Sequence, residues 1–283
     1  MIDVSFEVFP PKTDGGLVQL REAAGRLAAA RPRFISVTYG AGGSQRDRSF
    51  DAIDAVHASG AAIAAHVTCV GQPTGEVDAV LDRYEELGVR HVVALRGDPP
   101  QGIDAPYAAH PDGYQRTADL VATAARRERF GVIVSAYPER HPQSPTHDHD
   151  LDVLREKVDA GATAAITQMF FDVDTFASYL DRVRARGIDI PIVPGIFPIH
   201  SFDSVAGFAA RCGASMPNSI ADRFTACGDD TEAAQRLAVE IAGEQIDRLV
   251  TLGVEQVHLY TLNRSELALA VCERIGLTPA PAR

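Results

Sequence analysis

The sequence has little positive charge. Its 27 lysine and arginine residues stand against 38 aspartate and glutamate residues, so the formal net charge at pH 7 is −11. No run of basic residues could neutralise several phosphates of a duplex, which argues against nucleic acid as a main partner. Charged or polar residues interrupt every long apolar stretch before it could span a bilayer. We therefore expect a small-molecule partner, with neither nucleic acid nor a membrane.

Cysteine is also scarce. The four cysteines, Cys69, Cys212, Cys227 and Cys272, form neither a CxxC pair nor the dense spacing of a secreted disulfide framework. Buried free thiols are the expected state, because free cysteine packs as a small apolar residue. Residues 1–5 lack both the basic and the apolar segment of a secretory signal, so we expect a cytoplasmic protein.

The sequence does contain a repeated alternation of two patterns. Its 283 residues are 46% hydrophobic and 23% charged, the composition of an ordinary globular protein. Short apolar runs rich in valine, isoleucine, phenylalanine or tyrosine are each followed by an amphipathic stretch, which predicts strand–helix units. The predicted strands are 4–9, 34–39, 61–69, 91–95, 132–137, 164–171, 192–197 and 256–262.

Alternating strands and helices with near-continuous apolar strands predict a parallel sheet covered on both faces. Eight such units favour a closed α/β (β/α)8 barrel of one domain over residues 1–283, with an insertion at 213–230 after the seventh unit. An open doubly wound sheet is the alternative. That fold usually carries a GxGxxG motif after its first strand, whereas this first strand runs into the sequence FPPK at 9–12.

Polar residues accumulate where the predicted strands end. In a barrel these carboxyl ends meet at one mouth, where the chemistry lies. Each residue alone has a structural explanation, such as an ion pair or a hydrogen-bonded core histidine. Together they are harder to attribute to packing, because an unpaired buried polar group costs about 1 to 3 kcal/mol. They are Glu7, Thr38, Tyr39, His66, Thr68, Arg96, Asp98, Tyr137, Gln168, Tyr260 and Asn263.

Glu7 lies between Phe6 and Val8, so on an alternating strand its side chain faces opposite to both, toward the barrel lumen or mouth. This position suits a general acid. An unperturbed glutamate has a pKa of about 4.3, so acid catalysis at neutral pH requires burial to raise that pKa.

The triplet Arg96-Gly97-Asp98 follows a buried strand and precedes Pro99-Pro100, which predicts a sharp turn at the barrel mouth. Arginine offers a planar fork for phosphate, and glycine permits close approach of a ligand to the backbone. The alternative is an ion pair between Arg96 and Asp98 within the loop.

The sequence HDHD at 147–150 has a metal-like composition, but one short segment cannot direct four side chains at one ion. A helix N-terminus capped by Asp150 is the favoured interpretation, and no metal site is predicted. Lys157 lies at the end of the same predicted helix. It could interact with the helix dipole or bind phosphate.

Long strings at the strand ends resemble the methylenetetrahydrofolate reductase family, and they occur in the family's order over nearly the whole chain. They are SFEVFPPKT (5–13), FISVTYGAGGS (34–44), AHVTC (65–69), VALRGDPP (93–100), SAYPERHP (135–142), KVDAGATAAITQMFFD (157–172), PIVPGIFPI (191–199) and HLYTLNR (258–264).

The resemblance implies a (β/α)8 barrel that holds FAD, takes hydride from NADH or NADPH and reduces 5,10-methylenetetrahydrofolate to 5-methyltetrahydrofolate. It implies that Glu7 is the general acid that opens the folate ring and that Asp98 is a carboxylate favouring the cationic intermediate. Gln168 would orient the pterin, and Phe208 would pack on folate or nicotinamide. Arg264 would be available to a folate carboxylate.

The resemblance also implies a set of FAD contacts, among which Arg96 and Lys157 would offset phosphate charge. Val153 and Glu156 stand where some relatives carry asparagine and arginine near FAD. Met169 stands where phenylalanine is commoner. The implied FAD contacts are Thr38, His66, Arg96, Gly97, Asp98, Ala136, Tyr137, His141, Asp150 and Lys157.

Other functions remain open at this point. Val153 and Glu156 motivate direct hydride transfer from NADH without stable flavin. An unrelated barrel lyase or aldolase would use Glu7 as a base and Arg96 for a substrate phosphate, and a silent folate- or flavin-binding protein is a further alternative. The chain ends soon after the eighth unit, so neither a C-terminal regulatory domain nor inhibition by adenosylmethionine is expected. A homo-oligomer is compatible with the resemblance.

Overall fold

A computed structural model describes residues 2–40, 43–99, 102 and 105–277. Two of the predicted motifs extend beyond these residues. Ala41 and Gly42 of the second string lie outside the described residues, as does Pro100 of the predicted turn. Residues 278–283 of the predicted domain also lie outside them.

Parallel strands alternate with helices along the described chain. The strands are β1 (Asp3–Val8), β2 (Ile35–Val37), β3 (Ile63–Thr68), β4 (His91–Leu95), β5 (Gly131–Ala136), β6 (Ala164–Thr167), β7 (Ile192–Val193), β8 (Gly195–Ile196) and β9 (Gln256–Tyr260). The helices are α1 (Asp14–Ala28), α2 (Gly43–His57), α3 (Thr74–Glu86), α4 (Thr117–Arg126), α5 (His147–Asp159), α6 (Val173–Ala185), α7 (Phe202–Arg211), α8 (Asn218–Cys227), α9 (Thr231–Thr251) and α10 (Ser265–Arg274). No helix among the residues described is long and apolar enough to cross a membrane.

The sheet closes on itself, which confirms the predicted (β/α)8 barrel. The strand order is β7-β6-β5-β4-β3-β2-β1-β9-β8, and β7 is joined to β8 through Pro194 alone. The two strands at the ends of this strand order, β7 and β8, are therefore two halves of one interrupted barrel strand. The seventh predicted strand is thus split in two, because proline has no N–H to donate to the ladder.

Hydrogen bonds around Pro194 complete the closure in place of a regular ladder. The Pro194 carbonyl accepts a hydrogen bond from the His258 backbone N–H at 2.9 Å. The Gly195 N–H donates to the Thr167 hydroxyl, also at 2.9 Å. The interrupted strand β7–β8 is therefore hydrogen-bonded to β9 on one side and to β6 on the other.

Strand alternation divides the core into two layers. Phe6 and Val8 are fully buried in the large cluster between strands and helices, whereas a small cluster that includes Val93 and Ile133 fills the lumen. Glu7 lies between Phe6 and Val8 and lines a cavity at the barrel mouth, as the alternation predicts. The fold thus delivers one carboxylate to the end of β1.

The predicted insertion at 213–230 contains α8. Its buried residues Ile220 and Phe224 belong to a third cluster that also contains Phe197 and Met169. Because Met169 and Phe197 also line the cavity, this cluster supports the part of the mouth nearest α7 and α9.

The closure at Pro194 leaves no room for a side chain at Gly195. A Cβ there would contact the Thr167 carbonyl oxygen and lie 2.6 Å from Cε2 of Tyr260. We expect Gly195→Ala to lower the free energy of unfolding by about 3 kcal/mol, because the neighbours are backbone and a packed ring. Urea unfolding followed by circular dichroism measures this change.

Gly25→Ala is the matched control. Gly25 lies in the interior of α1 with nothing within 4 Å of an added Cβ, so alanine there should stabilise the protein by about 0.5 to 1 kcal/mol. Equal unfolding midpoints for wild type and Gly195→Ala would show that closure of the barrel does not depend on the close packing around Gly195.

Candidate active site

A cavity of about 920 Å³ opens at the carboxyl ends of the strands. Its volume lies near the upper end of the range for small-molecule sites. Of the strand-end residues, Asn263 does not line it. Every residue to which the resemblance assigns a role lines it except Arg264: Glu7, Thr38, His66, Arg96, Gly97, Asp98, Ala136, Tyr137, His141, Asp150, Lys157, Gln168 and Phe208. Residues spread over most of the chain therefore share one surface.

Glu7 is flanked by two histidines from neighbouring parts of the barrel. Its Oε2 lies 3.3 Å from Nε2 of His66 on β3 and 3.8 Å from Nε2 of His258 on β9. His258 is fully buried, and its Nδ1 lies 2.8 Å from the hydroxyl of Ser5. Glu7, His66 and His258 thus form a compact ionisable cluster at the cavity wall.

This cluster holds Glu7 as a carboxylate. Burial raises the pKa of Glu7, but the interactions with His258 and His66 outweigh it and leave the pKa below its ordinary value. Burial also lowers the pKa of His66, against the opposing attraction of Glu7. The raised pKa that acid catalysis at neutral pH requires is therefore not produced by burial here, because two imidazoles accompany the carboxylate.

The turn after β4 presents a cation to the cavity. Arg96 donates from Nε to the Gly97 carbonyl at 3.3 Å, and its guanidinium lies 4.6 Å from the centre of the Tyr107 ring. No ion pair joins Arg96 to Asp98 within the described part of the chain, so the alternative loop ion pair is not formed. Arg96 is available to an anion.

Gly97 allows this turn by its backbone conformation. Its φ is +83°, and an added Cβ would lie 2.5 Å from Cγ1 of Val70 and 2.8 Å from Cβ of Thr68. The position therefore combines a left-handed backbone with close packing, which only glycine accommodates.

The start of α5 differs from the prediction. Thr146, not Asp150, caps the helix, accepting a hydrogen bond from the His149 N–H at 3.1 Å. Asp150 instead accepts from the backbone N–H of His141 at 3.0 Å and so ties the loop after β5 to α5. Both residue types make good caps, and the earlier one starts the helix at His147. No group of potential metal ligands occurs among the residues that the structure describes.

Lys157 is buried and points away from the end of α5. Its Nζ donates to the Ser135 carbonyl at 3.0 Å and lies 3.3 Å from the Ser135 hydroxyl. Burial lowers the pKa of Lys157 to about 8, and Asp150 offsets this only in part. The interaction with the helix dipole is therefore not its main role, since the ammonium reaches across to β5 and the cavity.

The opposite wall carries Gln168 and Phe208. The Gln168 side-chain oxygen accepts from the Met169 N–H at 3.0 Å, and Phe208 on α7 is 39% exposed to the cavity. Arg264 is exposed at the N-cap of α10 and lines a small adjoining pocket, which shares Tyr260 and Leu262 with the large cavity. Leu262 and Asn263 have φ values of +49° and +58°, so the chain turns between β9 and α10.

Two arginines that line the cavity were not identified from the sequence as site residues. Arg116 precedes α4 and faces Glu156 of α5, with Nη1 and Oε2 3.6 Å apart. Arg211 ends α7, and the Thr68 hydroxyl is buried without a hydrogen-bond partner in the described structure. The strand-end pattern identifies Thr68, but it carries no signal for arginines on helices and loops.

The comparisons with known proteins agree with this geometry. The family model of methylenetetrahydrofolate reductase matches residues 1–276. The chain belongs to the methylenetetrahydrofolate reductase family. A 5,10-methylenetetrahydrofolate reductase of Pectobacterium carotovorum is 40% identical over 283 residues, covering 100% of this chain and 93% of the relative. That of Escherichia coli K12 is 38% identical over 279 residues, covering 98% and 92%.

Family membership makes this chain an enzyme of the reductase type, which removes the grounds for an unrelated barrel lyase or a silent binding protein. A Clostridium thermocellum protein solved with two copies of 5-methyl-5,6,7,8-tetrahydrofolic acid shares the fold, with a TM-score of 0.64 at 13% identity. The match covers 96% of this chain and 95% of that protein.

The buried ammonium of the reductase should lower its stability. The unfolded chain holds the lysine proton up to about pH 10.4, whereas the folded protein releases it near pH 8, so the unfolding free energy should rise between these values. We expect Lys157→Met to be more stable than wild type by about 2 kcal/mol at pH 7, with the difference shrinking as the pH approaches 9.5.

Urea unfolding of protein stripped of bound small molecules, repeated from pH 7 to 9.5, measures this difference. Lys12→Met is the control, because Lys12 is exposed and this variant keeps the buried ammonium. A Lys157→Met protein whose advantage does not change with pH would rule out a perturbed lysine as its source.

Proposed function

We propose that this reductase converts 5,10-methylenetetrahydrofolate to 5-methyltetrahydrofolate, with FAD bound in the barrel mouth and a nicotinamide nucleotide as hydride donor. The main support is the convergence of the predicted acid, carboxylate, amide and cationic residues on one cavity. A relative from Zea mays is named methylenetetrahydrofolate reductase (NADH) 1, which favours NADH as the donor. It is 33% identical over 285 residues, covering 96% of this chain and 48% of the relative.

The cavity fits FAD in charge and in polar groups. Arg96 and Lys157 would hold the anionic diphosphate, and the unpartnered Thr68 hydroxyl offers a hydrogen bond to a ligand. Tyr137 and His141, which pack edge to face with ring centres 4.7 Å apart, would contact the same cofactor. When bound, FAD supplies a two-electron carrier between nicotinamide and folate.

Glu7 is the proposed proton donor to the folate nitrogen, whose protonation opens the five-membered ring to an electrophilic iminium ion. Because the neighbouring imidazoles lower the pKa of Glu7, the carboxylate must take up a proton before it can donate one. The charges of Glu7 and His66 each affect the pKa of the other, so the pH dependence of the reaction should report this pair.

Two other side chains would act on the same intermediate. Asp98 is exposed at the cavity, where its negative charge would favour a cationic iminium. Gln168 has its side-chain oxygen engaged by the Met169 N–H, which leaves the amide NH2 directed outward for pterin recognition. Orientation and charge are thus the contributions of the protein.

We expect Glu7→Gln to separate the two halves of the reaction. In anaerobic wild-type protein, NADH should bleach the visible flavin band, and methylenetetrahydrofolate should restore it. In Glu7→Gln, the bleaching should persist while restoration slows by about 100-fold or more, because only the second half needs the acid.

Stopped-flow absorbance measures both steps, and Asp3→Asn, an exposed change at the opposite end of β1, is the control. Restoration at the wild-type rate in Glu7→Gln would remove Glu7 from the reaction. Protein that stays colourless with added FAD, yet consumes NADH only with folate, would establish direct hydride transfer instead.

The direct-transfer alternative draws its support from Glu156, a carboxylate on the cavity wall. Arg116 lies 3.6 Å from this carboxylate but also pairs with Asp119 at 2.9 Å, so removing the Glu156 charge should mainly lift a repulsion of the cofactor phosphates. We expect Glu156→Gln to bind FAD about 3- to 10-fold more tightly than wild type.

Quenching of flavin fluorescence measures the dissociation constant of FAD. Glu22→Gln provides the control, because it makes the same change on the exposed face of α1. Unchanged or weaker binding in Glu156→Gln would show that this carboxylate does not oppose the cofactor.

A further inference from the structure

Tyr107 contacts the Arg96 guanidinium from the loop between β4 and α4. The guanidinium carbon of Arg96 lies 4.6 Å from the centre of the Tyr107 ring, which is a cation–π distance. Arg96 lines the cavity, whereas Tyr107 is half-buried and does not line it. The ring therefore acts on the cavity through the guanidinium rather than by contact with a ligand.

This contact holds Arg96 without neutralising its charge. Nε of Arg96 donates to the Gly97 carbonyl at 3.3 Å, while Nη1 and Nη2 have neither a hydrogen-bond partner nor a nearby carboxylate among the residues described. Arg116 on the same cavity is held differently, by the Asp119 carboxylate at 2.9 Å. A carboxylate offsets the charge of an arginine, whereas the face of an aromatic ring leaves the edge of the guanidinium free. Arg96 is thus both oriented and available to an anion.

Neighbouring contacts hold Tyr107 in this position. The Ala105 carbonyl accepts a hydrogen bond from Nε2 of Gln143 at 2.8 Å, which joins the loop to the segment after β5. The Tyr107 hydroxyl lies 4.0 Å from Sγ of Cys69, and this buried thiol also lies 3.6 Å from the Arg96 carbonyl oxygen. The ring and the turn at Arg96 therefore share one support.

Orientation before binding should raise the affinity of Arg96 for an anion. The long arginine side chain has several rotatable bonds, and fixing them when a ligand binds costs affinity. A guanidinium that the ring already orients has less freedom to lose. The planar fork also needs a fixed direction to donate two parallel hydrogen bonds to a phosphate. The ring can therefore strengthen the binding of a phosphate that it never touches.

We propose that Tyr107 is a positioning residue that orients the Arg96 guanidinium for the diphosphate of FAD. The inference rests on the proposed function. The face of the ring carries the effect, because it contacts the guanidinium, whereas the hydroxyl contacts only a thiol, which is a weak partner. Tyr107 thus influences how tightly the cofactor binds and takes no part in the hydride transfer.

Titration of FAD into protein stripped of bound small molecules, followed by quenching of flavin fluorescence, tests the proposal. We expect Tyr107→Leu to raise the dissociation constant of FAD about 3- to 10-fold, because leucine is apolar but has no aromatic face. Tyr107→Phe keeps that face, so its dissociation constant should stay within about 2-fold of wild type.

A double-mutant cycle with Arg96→Gln separates positioning from a general loosening of the loop. Arg96→Gln alone should weaken FAD binding. Adding Tyr107→Leu to it should change the dissociation constant by less than about 2-fold, because no guanidinium remains to be oriented. A misfolded protein or a loosened loop would instead weaken binding with either residue at position 96.

Tyr114→Leu is the matched control. It makes the same change in the same loop, where the Tyr114 hydroxyl donates to Asp78 of α3 at 2.6 Å and the residue does not line the cavity. Its dissociation constant for FAD should equal that of wild type.

Three results would each overturn the proposal. Tyr107→Leu could bind FAD as tightly as wild type, Tyr107→Phe could lose as much affinity as Tyr107→Leu, or the loss could be equally large in Tyr114→Leu or alongside Arg96→Gln. All three leave the proposed function standing. A wild-type protein that binds no FAD would overturn the proposed function and this inference together.

Discussion

Closure of the parallel sheet at Pro194 is the constraint on which the site depends. A parallel sheet must either end in open edges or form a ring, and a ring directs every strand terminus to one mouth. The two short strands β7 and β8 complete the ring through the Pro194 carbonyl and the Gly195 N–H. Because the ring closes, Glu7 from β1 and Gln168 after β6 face the same cavity.

The charges of Glu7 and of the cations beside β4 and β5 are compensated to different degrees. Glu7 has two imidazoles within 4 Å, and they outweigh the cost of burying its carboxylate. Among the described residues, Lys157 hydrogen-bonds only to the neutral groups of Ser135, and Asp150 offsets its burial only in part. Arg96 lies on an aromatic ring. An uncompensated buried cation destabilises the protein unless an anion binds beside it. The protein without ligand is therefore electrostatically incomplete on the β4–β5 side, which suits a phosphate-bearing cofactor.

Strand periodicity was sufficient to predict much of this arrangement, and its failures have physical reasons. Alternation around Phe6 and Val8 placed Glu7 correctly, because side-chain direction in a strand has a fixed period of two. The net pKa shift of Glu7 was not predictable, since it depends on His66 and His258 from other strands. Arg211 and Arg116 were missed because the orientation of a helix side chain depends on how the helix packs. The cap of α5 was ambiguous, as Thr146 and Asp150 are both suitable residues.

The cavity wall is less negative than the molecule as a whole, because its four lysine and arginine side chains balance its four aspartate and glutamate side chains. An anionic folate or dinucleotide approaches a chain whose net charge of −11 repels it over most of the surface. Arg96, Lys157 and Arg211 present available cations within the mouth, where low-dielectric walls strengthen their attraction. Repulsion by the net negative charge therefore disfavours binding of these ligands away from the mouth. Charge can therefore select the class of ligand before any hydrogen bond to Glu7 or Gln168 distinguishes one folate from another.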